Sequence, residues 1–154
     1  MSINGVPLHP LLVHLAVVFV PLAALLVSAY CVPRLRWITR WPALVTAAIA
    51  AGAVQLSAVT GSDLKAKLGE NPLIENHEMW AGRLQAATWV LAGAMLVAFW
   101  AFPHVTRLMG GQDRQGRVAA LEKPLMVLLP VLAVSVLVLV VITGDAGARA
   151  VWTS

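Results

Sequence analysis

Apolar residues fill four long blocks of this chain, and nearly all the charge lies in the stretches between them. Residues 11–32, 42–61, 84–102 and 124–143 contain no Asp, Glu, Lys or Arg. Each block is about 20 residues, or about 30 Å of helix, which matches the hydrocarbon thickness of a bilayer. The pattern predicts four membrane-spanning helices joined by short polar connections.

Proline and glycine punctuate these blocks. Pro10 precedes the first span where a missing N–H costs nothing, and Pro21 inside it predicts a kink. Thr60-Gly61-Ser62-Asp63 reads as a glycine stop for the second helix, echoed by Thr143-Gly144-Asp145 after the fourth. The stretch 62–83 is the longest connection, with a turn at Asn71-Pro72. The third helix starts at Leu84 or several residues earlier, near Glu75 or His77. Ala48 and Gly52 form a small-xxx-small pair predicted to pack inside the bundle with Ala47, Ala51 and Gln55. Gly82, Ala86, Trp89 and Gly93 are predicted to be the packing face of the third span.

The expected fold is therefore an all-α integral membrane protein, a single domain over 1–154 with four transmembrane helices in an antiparallel bundle. Composition agrees, at 60% hydrophobic and 12% charged residues, against about 25% charged in soluble domains. Of the 11 Lys and Arg, seven fall in 33–41 and 103–123 and four on the opposite side. The positive-inside rule then places those two loops in the cytoplasm and both termini outside. The net charge of +4 comes with no basic stripe interleaved with aromatics, so nucleic acid is not an expected partner. Cys31 is the only cysteine, which excludes an intrachain disulfide and thiolate clusters. Residues 2–10 lack a basic n-region and the first span is too long for a signal-peptide core, so no cleavable leader is expected.

On this topology the polar intramembrane residues gather in the outer half: His14, Gln55, Ser57, Thr60, Gln85, Thr88 and Thr143, with His77 and Arg83 just above. Polar groups at this depth are costly unless they face the bundle and find partners. Convergence from four helices marks a candidate site. The sharp reading is a b-type haem held by histidines of different helices. His14 and His77 are the natural pair, His9 is the third candidate ligand or an interfacial cap, and Gln55, Thr60 and Thr143 form a polar lining. Ala51, Gly52, Gly82 and Ala86 would leave room for the macrocycle. An alternative is a divalent metal at the outer face, from His9, His14, His77, Glu78 and Asp63, with nitrogen and oxygen ligands suited to zinc or copper(II). A third is a non-catalytic accessory or scaffolding subunit, in which the cluster only fixes the bundle. No nucleophile elbow, phosphate loop, HExxH or paired-carboxylate pattern occurs, so an enzyme is not the expectation. His104 reads as a cap at the opposite membrane face, and most of the tryptophans as interfacial belts.

The run Asn4-Gly5-Val6-Pro7-Leu8-His9-Pro10-Leu11-Leu12-Val13-His14 resembles the opening of a bacterial membrane family catalogued as domain of unknown function 2231. Thr60-Gly61 with Asp63, His77 before the third span, and Thr143-Gly144 with Gly147 extend the resemblance over essentially the whole chain. It implies a four-helix inner-membrane protein with no established biochemical activity. Some members of that family are fused or adjacent to Rieske-type iron–sulfur proteins, which implies a redox role and an iron–sulfur partner. A homo-oligomer in the lipid bilayer is the other candidate association. Members often carry a histidine after the last Thr-Gly, where this chain has Asp145.

Overall fold

The computed structural model describes residues 2–3, 6–69, 71–103 and 118–152. His104 and the arginines 107, 114 and 117 lie outside the described residues. A two-residue hairpin, β1 (Ser2–Ile3) against β2 (Val6–Pro7), leads into four helices. These are α1 (Leu8–Tyr30), α2 (Arg36–Leu68), α3 (Pro72–Ala101) and α4 (Ala119–Trp152). All four are long and apolar enough to cross a membrane. Consecutive helices pack as antiparallel neighbours, and α4 closes the bundle against α1, so α1 and α3 face each other along a diagonal.

Three of the helices exceed their apolar blocks. At 33 and 34 residues, α2 and α4 are each about 50 Å long, and part of each stands beyond the hydrocarbon. Neither Thr-Gly pair ends its helix: α2 runs through Gly61 to Leu68, and α4 runs through Gly144 to Trp152. The left-handed stop falls at Gly69, with φ of 86° and its N–H bonded to the Lys65 carbonyl. Asn71 caps α3, its side chain accepting from the Leu73 N–H at 2.8 Å, with Pro72 in the first turn. His77 is therefore a helical residue.

Of the two predicted small-residue faces, that of α3 is turned the other way, while on α2 Ala47 and Ala51 are buried as predicted and the Ala48/Gly52 pair is not. Ala43, Ala47, Ala50, Ala51, Ala53 and Val54 are buried on α2, whereas Ala48 is exposed and Gly52 half-buried. On α3 the core face is Leu84, Thr88, Leu91, Met95, Ala98 and Ala101, and Gly82, Ala86, Trp89 and Gly93 look outward. Neighbouring helical positions lie about 100° apart. In the stretch 47–53 of α2, where five of seven residues are alanine, residue type cannot choose between faces. On α3 the outward face carries Trp89 and Trp100 as well as the glycines, so residue size does not mark the core either.

The burial pattern exposes an internal repeat. The core positions Ala16, Val20, Ala23, Val27 and Tyr30 of α1 recur 68 residues on as Leu84, Thr88, Leu91, Met95 and Ala98 of α3. Those of α2, Thr39, Ala43, Ala47, Ala50, Ser57 and Thr60, recur 86 residues on in α4 as Leu125, Leu129, Ala133, Val136, Thr143 and Ala146. The molecule is two helical hairpins related by a pseudo-twofold axis parallel to the helices. Residue identity between equivalents is low, because volume is complemented rather than copied: Ala16 answers Leu84.

One end of the axis is plugged. Arg36 and Glu122, equivalent in the α2/α4 register, pair with each other at 2.9 Å. The Arg36 guanidinium lies 4.4 Å from the Phe102 ring centre and 5.8 Å from that of Tyr30, and these two rings stack at 5.5 Å. The Tyr30 hydroxyl donates to the Ala98 carbonyl at 3.3 Å, joining the diagonal helices.

Candidate functional site

At the other end of the axis the equivalent residues are His9 and His77. His9 is the second residue of α1, and its ring crosses to α2. Its Nδ1 lies 3.0 Å from the Ser57 carbonyl oxygen and 3.4 Å from Thr60 Oγ1. His77, on the second turn of α3, crosses to α4, with Nδ1 3.0 Å from the Thr143 carbonyl oxygen. A carbonyl can only accept, so in each ring Nδ1 carries the hydrogen and donates it. The neutral imidazole is thereby left with its lone pair on Nε2. The tautomer is inferred from the partner, and both hydrogen bonds require the same one.

A glycine seats each ring one helical turn beyond the accepting carbonyl. A Cβ at Gly61 would stand 3.0 Å from His9 Cε1 and 3.4 Å from Nδ1. At Gly147 it would stand 3.0 Å from His77 Cε1 and 3.1 Å from Nδ1. Both distances are tighter than ordinary side-chain packing allows. These glycines act as ring seats inside continuous helices, which explains why Gly61 does not end α2.

Between the two imidazoles lies a cavity of about 470 Å³ to which all four helices contribute. Its wall repeats the twofold register. Val54, Ser57, Ala58, Gly61 and Lys65 of α2 answer Val140, Thr143, Gly144, Gly147 and Val151 of α4. His9, Val13 and Ala16 of α1 answer His77, Ala81 and Leu84 of α3. The lining is mostly apolar with a few convergent polar groups, the usual make-up of a ligand pocket.

One wall residue breaks the symmetry. Ser57 donates its hydroxyl to the Ala53 carbonyl at 2.8 Å. Its equivalent Thr143 is 9% exposed, and its Oγ1 is buried without a hydrogen-bond partner. Such an orphan costs about 1–3 kcal/mol unless something binds it.

The remaining candidate residues fall in different places. His14 is exposed at the cavity rim and donates Nδ1–H to the Pro10 carbonyl of its own helix at 2.6 Å. The ring that pairs with His77 by symmetry is therefore that of His9. Thr60 stands behind His9. Gln55 lies outside the cavity, at the contact of α2 and α3, where its Oε1 accepts from Gln85 Nε2 at 2.7 Å and Trp89 Nε1 at 3.1 Å. Glu78 reaches the rim but is held by Lys65 at 2.6 Å, and Asp63 is exposed and not part of the wall. Among the described residues, no three His, Cys, Asp or Glu side chains gather around one point. Sequence reasoning missed the ring-seating role of Gly61 and Gly147. Its only signal was the spacing of Gly61 from Ser57 and of Gly147 from Thr143, a hydroxyl residue four before a glycine in each hairpin.

Fold and cavity together define a four-span helical membrane protein with a histidine-flanked chamber at one end of the bundle. The chain belongs to the DUF2231 family of predicted membrane proteins, whose model matches residues 5–154. No curated protein sequence and no solved structure matches it.

Proposed function

We propose that this protein is a b-type haem carrier, an electron-transfer component of a bacterial inner membrane, in which His9 and His77 would hold the haem iron. The observation that carries the reading is the pair of symmetry-related imidazoles on diagonal helices. Each has Nδ1–H committed to a main-chain carbonyl and an Nε2 lone pair left for a Lewis acid. Histidines that ligate iron or other metals are oriented in this way, by a second hydrogen bond from the non-ligating nitrogen. The residues fit the group in other respects: the chamber is predominantly apolar, and the glycines let the rings lie close to α2 and α4. A bis-histidine haem supplies one-electron chemistry at a potential set by its surroundings.

The Lys and Arg distribution supports placing this chamber in the outer leaflet with both termini outside. The partner in electron transfer is then an extracytoplasmic redox protein, an iron–sulfur protein being the candidate. The test is an optical spectrum of protein purified from haem-replete cells. Dithionite should produce a sharp low-spin α band, lost in His9→Ala and in His77→Ala. A colourless protein that fails to take up added haem stoichiometrically refutes the reading.

A second reading, an assembly subunit, is favoured by the outer face of α3. Gly82 and Gly93 have nothing within 4 Å of a would-be Cβ, and the Gln55–Gln85–Trp89 hydrogen bonds sit beside them. Another helix could approach closely there.

A further inference from the structure

The two seams between the hairpins differ where they flank the chamber. Across α2/α3, Lys65 Nζ meets a Glu78 carboxylate oxygen at 2.6 Å, and Gln85 and Trp89 both donate to Gln55. Among the described residues, α1 and α4 pack less extensively than α2 and α3. The twofold register replaces polar residues of one seam by apolar ones in the other, Ala148 for Ser62 and Val151 for Lys65, and puts the smaller Gly144 in place of Ala58. Gly144, Ala148 and Val151 are exposed while also lining the chamber, as is Val17 on α1. A Cβ on Gly144 would touch nothing within 4 Å. The α1/α4 seam is thus an apolar slot that opens sideways.

His14 stands in this slot. With Nδ1–H donated to the Pro10 carbonyl, its Nε2 can only accept a hydrogen bond while the ring is neutral. It lies six residues into α1, about 9 Å along the helix, inside a membrane-spanning segment. A polar group at that depth needs a partner. Anything reaching it through the slot must be dissolved in the bilayer, flat enough to pass between α1 and α4, and able to donate a hydrogen bond. Phosphate and ester groups of lipids offer acceptors only.

We propose that the α1/α4 seam binds the ring of a lipophilic hydroquinone, with one hydroxyl donating to His14 Nε2. The seam opens from the wall of the same chamber, and its recognition group is His14, outside the His9–His77 pair.

The test uses the full-length protein in phosphatidylcholine nanodiscs, titrated calorimetrically with a decyl-substituted benzohydroquinone and with its oxidised benzoquinone form. Saturable one-to-one binding is expected, about tenfold tighter for the reduced form, because only that form carries the hydroxyl hydrogen. His14→Phe should remove the preference for the reduced form. Gly144→Leu, which fills the slot, should weaken both forms about tenfold or more. The haem spectrum, read on the same samples, should survive His14→Phe. Equal affinity for the two oxidation states, or full affinity in His14→Phe, overturns the proposal. So does binding that is lost in His9→Ala and retained in His14→Phe, which would move the ring into the chamber. A colourless protein that still binds the hydroquinone through His14 would refute the haem reading alone.

Discussion

The two ends of the bundle solve the same symmetric problem in opposite ways. At one end the pseudo-twofold axis passes between Arg36 and Glu122, and unlike charges at equivalent positions meet at 2.9 Å. Tyr30 and Phe102 fill the remaining space, and that end is shut. At the other end the equivalents are like residues, His9 and His77. Two imidazoles of the same tautomer have no hydrogen bond to offer each other through Nε2, so they stay apart, each bound to the helix beside it. A chamber of about 470 Å³ is the result. A pseudo-symmetric bundle can thus be closed by complementary residues or kept open for a ligand by identical ones.

The largest expected effect separates the histidines. His9→Ala and His77→Ala should each abolish the reduced α band, since both rings would hold the iron. His14→Ala should leave the band intact. A band that survives His9→Ala and disappears in His14→Ala would assign the ligand pair to His14 and His77, and the symmetry argument would fail.

Next comes the closed end. Arg36 is 4% exposed, and removing one partner of a buried ion pair costs about 3–5 kcal/mol. Because Glu122 is partly exposed, Arg36→Met should lie near the lower bound, about 3 kcal/mol, measured by unfolding in mixed micelles. Combining it with Glu122→Leu should recover most of the loss, since an apolar pair needs no counter-charge. Neither change should move the haem spectrum. A shift in the α band with either would show that the two ends are coupled.

Smaller effects test the ring seats. A methyl at Gly61 or Gly147 forces an imidazole to shift, and overpacking of this kind costs about 1–3 kcal/mol. Gly147→Ala should weaken haem retention more than Gly61→Ala, because its Cβ would crowd two ring atoms, at 3.0 and 3.1 Å, instead of one. Competition with apomyoglobin measures both. Least of all, Gln55→Leu should cost about 1 kcal/mol, two interhelical hydrogen bonds at about 0.6 kcal/mol each in a membrane, with the spectrum unchanged. A lost spectrum there would extend the site to the α2/α3 seam.

The four spans, their antiparallel order and the clustering of polar residues near one end were all legible in the apolar blocks. A bilayer demands about 20 uncharged residues per helix, and that demand is written in composition rather than in contacts. The histidine, threonine and glycine positions of the site were visible too, but their roles were not. Thr60-Gly61 and Thr143-Gly144 look like helix stops because glycine so often ends helices, and only the approach of His9 and His77 shows that Gly61 and Gly147 serve other helices' side chains. His14 outranked His9 because it lies deeper in an uncharged run. Which ring points across the bundle depends on a rotation of α1 that its own nearly uniform apolar sequence does not encode. The same uniformity misdirected Ala48 and Gly82, since in lipid the outward face is as apolar as the core. The twofold repeat was hidden because many core equivalents trade volume, alanine opposite leucine, and the few identical pairs, such as His9 with His77 and Gly61 with Gly147, are scattered along the chain. What folding decided was rotation and register: which face of each helix meets its neighbours, and hence which histidines come to flank the chamber.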